Sequence, residues 1–132
     1  MKWNYKILSL IILTFFVISI NSAAQDKEEP EYEMKQYFLV LLKKGENRAH
    51  DSLTVQKIQA GHMAHISKMA EDKKLDIAGP IGANEDLRGI FILNVETIEE
   101  AKELCESDPA VQSGRLTYEV YPWWGANNSC LR

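Results

Sequence analysis

The amino-acid sequence predicts an α+β fold of the ferredoxin-like class, ordered βαββαβ, with a four-stranded antiparallel sheet and two main helices on one face. Three observations lead there. Four strand-like runs punctuate the chain at 36–42, 75–81, 88–93 and 116–123. Helical patterns separate the first run from the second and the third from the fourth. The first and third runs are apolar on both faces, whereas the second and fourth are mixed. Strands buried on both faces read as continuous apolar runs, so the first and third strands belong at the centre of the sheet.

The first strand, Gln36 to Leu42, contains Phe38-Leu39-Val40-Leu41-Leu42. In the first helix Val55, Ile58, His62, Ile66 and Met69 recur at steps of three and four, which puts them on one face. The second strand, Leu75 to Ile81, contains Asp76 and is interrupted by Ala78-Gly79-Pro80. Proline has no N–H to give a ladder, so this strand is an edge or a bend. The third, Arg88 to Leu93, contains Ile90-Phe91-Ile92-Leu93. Thr97 and Glu100 then form a Thr-x-x-Glu capping box that opens the second helix, with Ile98, Ala101, Leu104 and Cys105 on its inner face. Asp108-Pro109 is an N-cap followed by a first-turn proline, and Gly114 suits the stop of a short helix. The fourth strand, Leu116 to Trp123, carries Thr117 and Glu119 and ends among Tyr121, Trp123 and Trp124. Such aromatics suit the seam of a dimer.

The start of the chain reads differently. Lys2 and Lys6 precede a stretch from Ile7 to Ile20 that is apolar except for Ser9, Thr14 and Ser19. Ser22 and Ala24 then supply the small residues of a cleavage site, so residues 1–24 are expected to be a secretory signal cut after Ala24. A bilayer span needs roughly 20 apolar residues, more than this stretch holds, so no stable membrane insertion is expected after cleavage. The product is expected to be exported, periplasmic or secreted. Residues 25–34 form a flexible acidic lead-in, 35–125 the domain and 126–132 a C-terminal tail.

Losing Lys2 and Lys6 while keeping all 19 acidic residues moves the formal charge from −4 to −6. An acidic domain is a poor partner for nucleic acid or anionic membrane, both of which demand a basic face. Export permits a disulfide between Cys105 and Cys130, but spacing alone does not establish one. Cys105 sits on an apolar helix face and reads more readily as a buried free thiol. Asn127-Asn128-Ser129 matches the glycosylation tripeptide.

His62 is the most informative residue for chemistry. It falls in the middle of the apolar stripe between Ile58 and Ile66, where a neutral imidazole is a good proton acceptor. On the residues alone, a buried histidine making one structural hydrogen bond is the favoured reading. Asp108 caps a helix with one carboxylate oxygen and has a second that could orient a histidine. His65 lies at the stripe's edge, and Gly79 and Pro80 could face a ligand closely. These three are the expected substrate-binding residues. A metal held by His62 and His65, with His50 or an acid as third ligand, lacks the ligand set such sites use. No metal or cofactor is expected. Two helices cover only one face of the sheet, so a second copy of the chain is expected on the other, as a homodimer.

Several segments together resemble one family. They are Gly61-His62-Met63-Ala64-His65-Ile66, Ala78-Gly79-Pro80-Ile81, Arg88-Gly89-Ile90-Phe91, Ser107-Asp108-Pro109-Ala110-Val111-Gln112-Ser113-Gly114-Arg115-Leu116 and Glu119-Val120-Tyr121-Pro122-Trp123-Trp124. In this order they are similar to the YciI-like (YCII-related) family, over about Tyr37 to Trp124. The resemblance implies a ferredoxin-like domain in a dimeric α+β barrel. It also implies a His–Asp dyad at His62 and Asp108. Members include an enzyme that removes chloride from a chlorinated hydroxyquinol, and similar folds house muconolactone isomerases. The implied function is proton transfer on a small organic molecule by a lyase or isomerase, with backbone groups near Gly79 holding a developing oxyanion. The alternative is a non-catalytic dimeric module that binds a small ligand.

Overall fold

The structure, a computed structural model, describes residues 32–83 and 86–127. The expected export signal, most of the expected acidic lead-in, Cys130 and the last two residues of the tripeptide Asn127-Asn128-Ser129 lie outside the described residues. Along the chain come β1 (Met34–Lys44), α1 (Ser52–Glu71), β2 (Leu75–Pro80) and β3 (Leu87–Leu93). Then follow α2 (Ile98–Glu106), α3 (Pro109–Gln112) and β4 (Leu116–Ala126). The four strands form one antiparallel sheet in the order β2-β3-β1-β4. This is the ferredoxin-like α+β fold, with the two apolar strands at the centre and Pro80 on an edge strand.

Strands β1 and β4 outrun their apolar segments. They pair without a break from Met34↔Ala126 to Lys44↔Leu116. Ladder hydrogen bonds are made by the backbone, so pairing continues where the side chains turn polar. The β1–β3 ladder pairs Phe38↔Leu93, Val40↔Phe91 and Leu42↔Gly89, then slips before Lys43↔Leu87. Arg88 is left as the extra residue of a β-bulge, a device that re-aims a side chain.

Phe38, Val40, Leu42, Phe91 and Leu93 point to the face that carries the helices. With Leu75, Met69 of α1, and Ala101 and Cys105 of α2 they form the core. Val40, Leu93 and Ala101 are completely buried. Helix α1 begins where the Asp51 carboxylate accepts the N–H groups of Leu53 and Thr54, each at 3.0 Å. These bonds, with that from the Thr54 hydroxyl, hold the carboxyl below its ordinary value. The helix ends in a Schellman turn: Lys74 N–H donates to the Met69 carbonyl and Lys73 N–H to that of Ala70.

Helix α2 is capped by the Thr97 hydroxyl, which accepts the Glu100 N–H at 3.2 Å. The Glu100 carboxylate is paired with Lys74 at 2.9 Å, so it answers the end of α1. The opposite face of the sheet carries Leu39, Leu41, Ile90, Ile92, Tyr121 and Trp123, which alternate with the core residues. Tyr121 and Trp123 are exposed there, and Lys43 pairs with Glu119 at 2.8 Å.

Candidate active site

Gly61 opens the way for the site. A Cβ added there would come within 3.1 Å of the Pro109 side chain, so the missing side chain lets α1 and α3 meet closely. The next residue is His62, and the residue before Pro109 is Asp108. His62 Nδ1–H donates to Asp108 Oδ2 at 2.7 Å, and the pair is buried. Asp108 Oδ1 accepts the Ala110 N–H at 2.8 Å, which caps α3. Both carboxylate oxygens of a fully buried acid are therefore satisfied, as burial of a charge demands. The Phe91 ring stacks against the imidazole, with centroids 6.2 Å apart and planes 27° apart.

The cap and the histidine contact reinforce each other. Capping fixes the carboxylate relative to α3, and the fixed carboxylate sets the imidazole tautomer. A carboxylate accepts, so Nδ1 carries the proton and Nε2 of the neutral ring is an acceptor. Among the described residues Nε2 has no hydrogen-bond partner. The ring lines a cavity of about 560 Å³ between α1 and the β2–β3 end of the sheet. Ile58, Met63 and Ile66 of α1 roof this cavity, and Phe91 and Gly89 form its floor.

The other residues singled out by sequence divide. Gly79 and Pro80 line the cavity, and a Cβ on Gly79 would meet nothing within 4 Å. That strand edge is open to a ligand. The structure does not bring His65 into the cavity. Its Nε2–H donates to the Leu104 carbonyl at 2.8 Å, tying α1 to the end of α2 instead. His62 and His65 thus turn to different partners. His50 faces Asn47 at 3.5 Å.

Sequence reasoning missed three arginines. Arg48, Arg88 and Arg115 all line the cavity. They lie far apart in the chain, and no spacing links them. One signal was available: the residues around Arg88 and Arg115 flank Gly89 and Gly114, where backbone must pass closely. Gly114 has φ +73°, and a Cβ on Gly45 would strike the Gly114 carbonyl. This contact lets the 45–48 loop dock. Gly45 N–H donates to the Arg115 carbonyl, Asn47 N–H to that of Gly114, and Arg48 Nη1 to that of Arg115 at 3.0 Å.

Residues 34–124 match the model of the YCII-related domain. The chain belongs to that family. Within it, the uncharacterized protein YjpA of Bacillus subtilis (strain 168) is 28% identical over 68 residues, which is 52% of this chain and 78% of that protein. Among solved structures, the chain is similar to the 5-chloro-2-hydroxyhydroquinone dehydrochlorinase TftG of Burkholderia phenoliruptrix AC1100 in complex with 2,5-dihydroxybenzoquinone. That match has 26% identity and a TM-score of 0.46, and covers 64% of this chain and 92% of the other. In this YCII-related chain the cavity, the histidine and the buried carboxylate draw on six separate elements, β1, α1, β2, β3, α3 and β4. Only the fold joins them.

Proposed function

We propose that the cavity takes a small organic molecule and that His62 moves a proton to or from it through Nε2, as a lyase or isomerase would. The observation that carries this reading is the 2.7 Å contact of a fully buried Asp108 with Nδ1 of a histidine whose ring borders the cavity. An acid placed there orients the imidazole and stabilises the cation that forms when it takes a proton. The chemistry is abstraction next to a carbonyl, followed by reprotonation elsewhere or loss of a leaving group. Ile58, Ile66, Phe91 and Leu42 give part of the cavity around the histidine an apolar lining.

The test works across a panel of candidate substrates. The protein is incubated in D₂O with small cyclic carbonyl compounds, hydroxyquinones and butenolides, and C–H exchange is followed by NMR. His62-dependent exchange is expected, falling about 100- to 10,000-fold in His62→Gln, the range for a lost general base. Asp108→Asn should slow it as well, because its amide presents a donor to Nδ1 and inverts the tautomer. Exchange that survives His62→Gln unchanged would rule the reading out. Mass spectrometry of whatever co-purifies with the protein narrows the panel.

One observation favours the second reading, a binding module. Apart from the arginines, His62 is the only ionisable side chain among the described residues that lines the cavity, so no second acid or base stands there to return a proton. A ligand that binds tightly while no compound exchanges protons would establish that reading.

The sheet face that carries no helix supports a homodimer. Leu39, Leu41, Ile90, Tyr121 and Trp123 offer it an apolar surface with two exposed aromatics. Light scattering at micromolar concentration should give a dimer mass, and Trp123→Lys should lower it to that of a monomer. The pattern of residues 1–24 supports export. Mass spectrometry of the mature protein should find Gln25 at its N-terminus.

A further inference from the structure

Resting on the reading of this cavity as a small-molecule site, we propose that its ligand is an anion with a planar, delocalised oxyanion, either a carboxylate or a phenolate. Arg88 and Arg115 are its receptors, with Arg48 at the mouth.

The argument begins with where charge lies. The chain is acidic overall, with formal charge −4. Yet all three arginines of the described residues line this one cavity, and neither an aspartate nor a glutamate does. Asp108 lies behind His62, fully buried and with both oxygens engaged. An acidic protein that collects its guanidinium groups around one concavity focuses positive potential there.

Among the described residues the arginines are also unspent. The Lys–carboxylate ion pairs among the described residues join Lys43 to Glu119, Lys68 to Asp72 and Lys74 to Glu100. None of the three arginines has a carboxylate partner among those residues. Among the described residues the one hydrogen bond from an arginine side chain is that of Arg48 Nη1 to the Arg115 carbonyl. It leaves the rest of the Arg48 fork free. Arg88 and Arg115 are half-buried. A half-buried guanidinium with no acid beside it has lost hydration without gaining a counter-ion, a cost that an incoming anion repays.

The backbone holds both receptors in place. Arg88 is the extra residue of the β3 bulge. Arg115 enters β4 just after the left-handed Gly114, and its carbonyl takes bonds from Gly45 N–H and Arg48. Arginine rather than lysine fits this task because the planar fork matches a planar pair of oxygens. The anion preference also suits the proposed chemistry, since proton abstraction next to a carbonyl leaves an enolate that the same guanidinium groups would face.

The test uses benzoate, 4-nitrophenolate and neutral benzamide as probes of the purified protein. Binding is read from the His62 ring resonances and by calorimetry. Benzoate, 4-nitrophenolate or both should bind at least about 10-fold more tightly than benzamide, and raising NaCl from 50 to 500 mM should weaken only the anions. Which anion binds better decides between carboxylate and phenolate. Arg115→Gln and Arg88→Gln should each cost the anion about 10-fold or more and leave benzamide unmoved. Arg88→Lys and Arg115→Lys preserve the charge and should lose a smaller share, which guards against variants that fold poorly. Equal affinity for benzamide and both anions, no binding of either anion, or indifference to all four variants would overturn the proposal. Anion selectivity without deuterium exchange would sink the proton-transfer reading alone. Exchange without anion selectivity would sink the present one alone.

Discussion

Helices α1 and α2 lie on the same face of one sheet and do opposite things with it. Helix α2 is short and well seated: Ala101 and Cys105 are buried in one core cluster with Val40 and Leu93. Helix α1 has 20 residues, but only His62 and Met69 are buried. Its middle borders the cavity from Ile58 to Ile66, and meets the sheet through His62 on Phe91 and Ile66 against the core. Each helix also buries a group able to react. Under α2 it is the Cys105 thiol, 2% exposed and pushed up to about 12 by burial, with Asp108 and Glu106 adding to the effect. Under α1 it is His62, with one nitrogen held by Asp108 and its ring at the cavity wall. Burial keeps the first protonated, while a carboxylate orients the second. On the reading proposed above, what a buried group is paired with decides whether it reacts, since depth alone does not separate the two.

The largest expected effect tests the packing half of that comparison. Leu93→Ala removes a fully buried side chain from the centre of the core and should cost about 2–5 kcal/mol in urea unfolding. Ile58→Ala trims a half-buried residue above a space that already exists and should cost about 1 kcal/mol. Equal losses would mean that α1 is packed as tightly as α2.

Next comes pH. The unfolded Cys105 thiol titrates near its ordinary value, about 8.5, while the native thiol holds its proton up to about 12. The folded value is the raised one. The stability it contributes is therefore intact below about pH 8.5 and is lost as pH rises towards 12. The slope is up to about 1.4 kcal/mol per pH unit. Tyr118 titrates in the same range, pushed up to about 12 by burial and by its hydrogen bond to Glu106. The difference from Cys105→Ala isolates the thiol. The variant should lose stability less steeply between pH 9 and 11, and parallel curves would show that the thiol is not desolvated.

The same contrast separates what could be read in the residues from what could not. The order of elements, the central strands and the stripe from Val55 to Met69 follow from apolar periodicity, which is a local property. Asp108 was legible as a cap because Asp-Pro before a short helix is local too. That its second oxygen meets His62 depends on Gly61 admitting Pro109, a contact across 48 positions of chain. For the same reason the arginines left no sign in the sequence beyond their neighbouring glycines. Arg88 reaches the cavity wall at a slip in strand register and Arg115 at a docked loop, and neither leaves a periodic trace. His65 departs in the opposite sense. Periodicity places it at the edge of the stripe, but that edge faces the Leu104 carbonyl and not the cavity.

The smallest expected effect concerns the end of α1, where the loosely seated helix rejoins the packed region at Met69. Lys73 closes the Schellman turn with φ +58°, a left-handed conformation that costs an L side chain about 1–2 kcal/mol and is glycine's usual place. The Lys73 side chain is exposed and the turn's two hydrogen bonds are made by backbone, so Lys73→Gly should keep both. Greater chain entropy in the unfolded state offsets part of the relief, leaving a net gain of about 0.5–1 kcal/mol. Thermal unfolding should then rise by a few degrees. Because Met69 and the Lys74–Glu100 pair anchor this turn to the core and to α2, the gain should appear in global unfolding. A gain confined to hydrogen exchange in α1 would show that the helix over the cavity opens independently of the core beneath α2.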